Sequence, residues 1–206
     1  MPNHTTNILT VDGPDDQFEA MYSYVQGTES DGTLMLFSLG SIIPMPNGLV
    51  GTVSGSEKCK PDWQKERSYE LKAKYGCDNW YDWSVTHWGT KWDVYFICAD
   101  KWNLEERTIS FQSAWSPPTQ VIAVLSEKFP ALTFKLQYAD EGCDYVGVAR
   151  FTNGEISDEC YIDSDTAAFK ALYEQITGRD LDAEAEEAEE AEEDEKRRSE
   201  EKRNDQ

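Results

Sequence analysis

TISFQSAWSPPTQVIAVLSEKFPALTFKLQYAD, Thr108 to Asp140, reads as strand, helix, strand, and the rest of the fold is arranged around it. Ile109, Phe111 and Trp115 stand against Thr108, Ser110 and Gln112, the period-2 pattern of a half-buried strand. Ser116 and Pro117 offer an N-cap and a proline for the first helical position, and Val121, Val124, Leu125 and Phe129 form an inward stripe up to Pro130. Leu132, Phe134, Leu136 and Tyr138 then face one way, with Thr133, Lys135 and Gln137 facing the other. Asp140-Glu141-Gly142 turns the chain into Asp144 to Phe151, which predicts a hairpin, and Thr152-Asn153-Gly154 turns it toward a short strand at Glu159 to Ile162.

Upstream, Asn7 to Val11 is a β-prone run ended by Asp12-Gly13-Pro14, followed by a helix with Phe18, Met21, Tyr22 and Val25 on one face and Gly27 as its stop. Thr33 to Leu39, an apolar run between glycines, is expected to be a strand buried on both faces. Ser41 to Asn47 is an extended, proline-pinned segment, Gly48 to Lys60 a mobile surface loop, Asp62 to Tyr75 a helix and Val94 to Ala99 a strand. Downstream, Ser164 caps a helix with Phe169, Leu172, Tyr173 and Ile176 inward and Gly178 at its end. The order suits an α+β, ferredoxin-like antiparallel sheet with two helices on one face over residues 1–179, carrying a tryptophan-rich insertion at about 48–103. Residues 180–206 hold no large apolar side chain after Leu181, so this acidic tail is a solvated helix with pairs such as Glu192 to Lys196 and Glu193 to Arg197, or is disordered.

The net charge of −21 disfavours approach to nucleic-acid phosphates. Residues 180–206 carry −9 of it, which leaves −12 on the body. Five cysteines, Cys59, Cys77, Cys98, Cys143 and Cys160, have no close paired spacing and no apolar signal segment before them, so the expectation is a reduced protein in the cytoplasm. No apolar run approaches the roughly 20 residues a membrane helix needs.

MPNHTTNILTVDGP, WYDWSVTHWGTKWD, TISFQSAWSPP and FPALTFKLQYADEG, in this order, resemble the Api-like family of phage and plasmid accessory proteins, which carry a ferredoxin-like domain. The resemblance spans roughly Met1 to Gly154 and leaves the acidic tail outside; His4 and Thr5 stand where it leads one to expect Trp and Cys. It implies fold and a mobile-element origin, and no reaction.

Most other patterns have plainer readings. Cys59, Cys77, His87 and Cys98 are too widely spaced for a zinc site, and the cysteines read as buried free thiols. His87 and Asp93 are the centre an unrecognised enzyme would use, but no signature sets a nucleophile, acid or base beside them. The glycines of Asn47 to Ser56 lack the lysine of a phosphate loop. Phe111, Phe134 and Tyr138 could stack bases in an RNA- or DNA-binding regulatory module, with only Lys135 and Arg150 to attract phosphates. Trp83, Trp88, Gly89, Lys91, Trp92, Asp93 and Trp115 read as a structural signature that clasps the insertion to the core, with Lys91 and Asp93 still free for another role.

The expectation is therefore a non-enzymatic accessory protein, with no cofactor and no metal, that inhibits a host defence enzyme of anti-CRISPR or anti-restriction target type. It would cover a basic nucleic-acid-binding surface with a nucleic-acid-mimicking one. The carboxylates expected to meet that partner are Asp140, Glu141, Asp144, Glu155, Asp158, Glu159, Asp163 and Asp165.

Overall fold

In the computed structural model, which describes residues 3–28, 32–96, 102–162, 164 and 166–204, strand β1 (His4–Asp12) runs through the centre of the sheet. Thr5, Asn7, Leu9 and Val11 alternate inward along it, and both its edges are paired antiparallel. Helix α1 (Asp15–Tyr24) follows, then a two-residue ribbon of β2 (Gly27–Thr28) and β3 (Leu34–Met35), the single turn α2 (Leu39–Ile42), α3 (Asp62–Tyr75), α4 (Trp80–Trp88) and the short β4 (Trp102–Asn103). The stretch from Thr108 then forms β5 (Thr108–Ala114), α5 (Thr119–Lys128) and β6 (Thr133–Asp140). Strands β7 (Val146–Thr152) and β8 (Glu155–Ile162) and helices α6 (Ala167–Thr177) and α7 (Leu181–Asn204) complete the chain.

The main sheet has the order β4-β5-β1-β6-β7-β8 with antiparallel neighbours. Its β1-α1-β4-β5-α5-β6 part, read across as β6-β1-β5-β4, is the ferredoxin-like arrangement, and β7 and β8 extend it at one edge. Phe18 and Met21 of α1 and Val121, Ile122 and Leu125 of α5 share one core with Leu9, Val11, Phe111, Phe134 and Leu136, so both helices cover the same face. Helix α6 packs Phe169, Tyr173 and Ile176 on Ala139, Val146 and Ile8 of the opposite face.

Several expectations need correction. Only Leu34–Met35 of the run Thr33 to Leu39 is strand, and it lies outside the main sheet. Phe37 is buried by rings, 5.1 Å from Phe111 and 6.4 Å from Trp102, so an apolar run marked burial rather than a central strand. The second ferredoxin strand is Trp102–Asn103, and the chain leaves the sheet directly after α1 rather than at Gly48. Gly48 to Lys60 is held in place: Leu49 is buried, and Thr52 Oγ1 donates to Leu49 O and accepts from Trp80 N at 2.8 Å. In the strand expected at Val94 to Ala99, Val94 is buried and Tyr95 makes a single bridge to Gln112, while residues 97–99 lie outside the described residues.

Helix α5 starts at Thr119, so Ser116 does not cap it, and its inward stripe runs Val121, Ile122, Leu125 with Val124 partly exposed. Thr166, not Ser164, caps α6 by accepting from Phe169 N at 3.1 Å. In α7, Lys196 pairs with Glu192 at 2.8 Å as expected, whereas Arg197 reaches Asp194 at 2.7 Å rather than Glu193.

Candidate partner-binding face

Helix α4 opens on Asn79, whose side-chain oxygen accepts from Asp82 N at 2.9 Å, and closes on Gly89 at φ 74°, a left-handed position that favours a residue without Cβ. Trp83 and Trp88 are buried edge to face at 5.3 Å, and Trp88 Nε1 donates to Ile43 O at 2.9 Å, tying α4 to the end of α2. Beyond Gly89, Thr90 Oγ1 donates to Ala114 O at 2.9 Å and accepts from Ala114 N at 3.0 Å, and Ser116 Oγ donates to Gly89 O. Asp93 accepts from Ser38 Oγ and Leu39 N, both at 2.7 Å, and from Gly40 N at 3.1 Å, so it caps α2. The Thr90 and Ser116 bonds clasp the inserted segment to β5 and the turn after it, while the Trp88 and Asp93 bonds join α4 and its exit to α2 within that segment. Asp93, which the sequence left open for a functional role, is one of the fastenings.

Lys91, Trp92 and Trp115 lie at the outer side of the clasp. Lys91 Nζ is 4.7 Å from the Trp92 ring centre and 5.2 Å from that of Trp115, Tyr81 meets Trp115 edge-on at 5.8 Å, and Trp92 meets Tyr95 at 6.3 Å. Trp115 does not continue the inward face of β5: it is 39% exposed and its φ is 75°, a costly backbone for a bulky residue. That backbone is pinned from two sides, since Trp115 N donates to Asn3 O at 3.0 Å and Trp115 O accepts from the Tyr145 hydroxyl at 2.7 Å. With its own proton so used, Tyr145 receives that of Thr5 Oγ1 at 2.6 Å. Tyr95 donates to Ser113 O at 3.2 Å, and its hydroxyl meets His4 Nδ1 at 2.6 Å.

Carboxylates border these aromatics. Burial pushes Tyr95 up to about 12, with the negative charge of Glu141 adding to the shift. Burial likewise raises Tyr145; the bond from Thr5 opposes this, and Asp140 and Asp144 reinforce it. Both phenols stay neutral at physiological pH, which leaves them as hydrogen-bonding side chains rather than bases.

The expected partner-binding carboxylates separate into groups. Asp140 is 2% exposed, and its Oδ2 accepts from Gly142 N at 2.9 Å, so it forms the β6–β7 turn and does not face a partner. Glu141 and Asp144 are exposed on that turn, and Glu141 N donates to His4 O at 2.9 Å, which places the turn against the aromatic cluster. Glu155 and Glu159 are exposed on β8; Asp158 is also exposed there and is paired with Arg150 at 2.8 Å. Asp163 and Asp165 lie outside the described residues. Sequence spacing carried no sign that His4, Tyr81, Tyr95 and Tyr145 join Trp92 and Trp115, because they come from five separate elements and turns.

Other candidate groups are occupied elsewhere. His87 stacks on Trp83 at 4.4 Å, with Nδ1 2.9 Å from Trp83 O, and among the described residues no hydrogen bond or ion pair joins it to Asp93. Cys77 Sγ donates to Asn79 O at 3.5 Å and Cys59 is exposed beside Ser56, while Cys98 lies outside the described residues. Among the described residues no three His, Cys, Asp or Glu side chains gather as metal ligands, and no helix is long and apolar enough to cross a membrane. Phe111, Phe134 and Tyr138, the proposed base-stacking platform, are buried beneath the helices, so they offer no face to a base.

Residues 91–203 match the family model for the ferredoxin-like domain in Api92-like protein. The chain belongs to this family. The Api92-like match begins at Lys91 and extends through most of α7, so it includes the acidic tail expected to fall outside and does not cover β1. The chain is also 33% identical over 82 residues to the uncharacterized protein YubB of Escherichia coli (strain K12), a match covering 36% of this chain and 56% of that protein. It thus spans little more than half of that relative. A crystal structure of the protein api92 from Yersinia pseudotuberculosis is similar at 11% identity and a TM-score of 0.48, over 79% of this chain and 98% of that one.

Proposed function

We propose that this Api92-like chain is a non-enzymatic accessory protein that covers a basic, nucleic-acid-binding surface of a partner protein in a host cell. The observation that carries the proposal is the number of exposed carboxylates on the elements that follow β6: Glu141 and Asp144 on the β6–β7 turn, Glu155 and Glu159 on β8, and the solvated acidic helix α7. Such a display attracts a groove built for phosphates and repels nucleic acid itself. A phage or plasmid origin would make a CRISPR effector or restriction nuclease the partner class, with inhibition the result of occupying the groove. Capture from a host lysate on the immobilised chain is expected to return a nucleic-acid-binding protein that is released as salt rises. Capture of none, or binding indifferent to salt, would sink the proposal.

A further inference from the structure

Lys74 and Lys128 each lie over a single tyrosine ring, whereas Lys91 lies over two indoles. In a protein with 40 acidic and 19 basic residues, it forms no ion pair among the described residues and instead sets its ammonium between two indole rings. A ring competes with carboxylates for a cation only where the aromatic faces are well placed, and here they are fixed. Trp115 is pinned in its left-handed conformation through both its amide and its carbonyl, and Tyr81 and Tyr95 support the two indoles edge-on. Backbone strain held at a partly exposed aromatic residue is a mark of binding sites. The exposed carboxylates Glu141 and Asp144 stand near enough to Tyr95 and Tyr145 to shift their phenols, giving the aromatic face an acidic border.

We propose that Trp92 and Trp115 form a slot for an arginine side chain of the partner protein, and that Lys91 is the resident cation this arginine displaces. The inference rests on the reading of a basic protein partner and names its anchor. A guanidinium suits the slot better than an ammonium, because its plane stacks on indole while its edge can bond a carboxylate in two places. The acidic border turns phosphate away, so a nucleic-acid strand is the disfavoured occupant.

The test follows the indole Nε1–H resonances of the full chain while a capped peptide of alternating glycine and arginine is added, with the lysine version of the peptide and a single-stranded oligonucleotide as comparisons. The Trp92 and Trp115 signals are expected to shift and saturate with the arginine peptide, less with the lysine peptide, and not with the oligonucleotide. Lys91→Met, which empties the slot, is expected to tighten arginine-peptide binding about three-fold. Trp115→Gly, a residue that accepts the positive φ and so preserves the fold, is expected to weaken it about five-fold or more. Unmoved Trp92 and Trp115 signals, weaker binding by Lys91→Met, or a response to the oligonucleotide alone would overturn the slot. If the peptide binds in a salt-sensitive way that Trp115→Gly leaves unchanged, the slot falls while the acidic-surface reading stands.

Discussion

The inserted helices and the carboxyl-terminal helix are both written in charged residues, yet they use charge in opposite ways. In the insertion, charge is taken inside: Asp78, 1% exposed, accepts from Lys60 Nζ at 2.7 Å, from Ser68 Oγ and from Asn79 Nδ2 at 3.1 Å, with Lys72 at 3.6 Å. Gln64 of α3 bonds the Asp78 carbonyl and both backbone groups of Val53, joining the loop to the helix. In α7 the pairs Lys196 to Glu192 and Arg197 to Asp194 are exposed, and the helix is fastened near its start by Leu181 and by bonds of Arg179 to Glu184 and Lys170 to Asp182. Exposed pairs of this kind contribute about 0–1 kcal/mol each, whereas breaking a buried pair costs several times more. The difference separates carboxylates that hold the fold from carboxylates that remain available to a partner.

Asp78→Ala, the most disruptive change by this comparison, leaves Lys60 buried without its main counterion and is expected to cost about 3–5 kcal/mol in denaturant unfolding. Burial alone would raise the Asp78 carboxyl, but the bonds from Lys60, Ser68 and Asn79 and the charge of Lys60 together hold it well below the usual carboxylate range. Its contribution is therefore present above the unfolded value of about 4 and is lost as pH falls below that. A loss of under about 1 kcal/mol in Asp78→Ala would show that the network is not what holds the insertion.

Thr90→Val tests the join between insertion and sheet. It leaves the Ala114 amide and carbonyl without their Thr90 bonds, and about 1–2 kcal/mol should be lost in the same unfolding measurement. At the other extreme, Glu187→Gln, Glu190→Gln and Glu193→Gln together should move the unfolding midpoint by no more than the equivalent of about 0.5 kcal/mol. A larger fall there would mean that α7 supports the fold.

The comparison also explains what could be read from sequence. Strands β1, β5 and β6 and helices α1 and α6 were legible because alternation or helical spacing of residues such as Leu9, Leu136, Met21 and Phe169 follows directly from which side is buried. Strand β4 was not, since two residues have no period, and the run ending at Leu39 was misread because burial by Phe111 and Trp102 leaves the same apolar signature as burial in a sheet. Within the candidate site, Glu141, Asp144, Glu155 and Glu159 were correctly placed on the surface by their turns and edge strand. Asp140, one residue from Glu141, was not, because the turn folds its carboxylate back onto Gly142 N. The aromatic cluster of His4, Tyr95, Trp115 and Tyr145 depends on strand register and on the left-handed turn at Trp115, and neither leaves a local pattern.

The central claim, that the exposed carboxylates bind a surface built for nucleic acid, is tested most directly by paired capture from host lysate. One bait is the intact chain and the other carries Glu141→Gln, Asp144→Asn, Glu155→Gln and Glu159→Gln, with matched thermal unfolding confirming that both are folded. The expected result is that duplex DNA competes the captured protein off the intact chain and that the neutralised chain retains at least about ten-fold less of it, a loss of about 1.4 kcal/mol. Equal recovery on both baits, or recovery that DNA does not reduce, would contradict it.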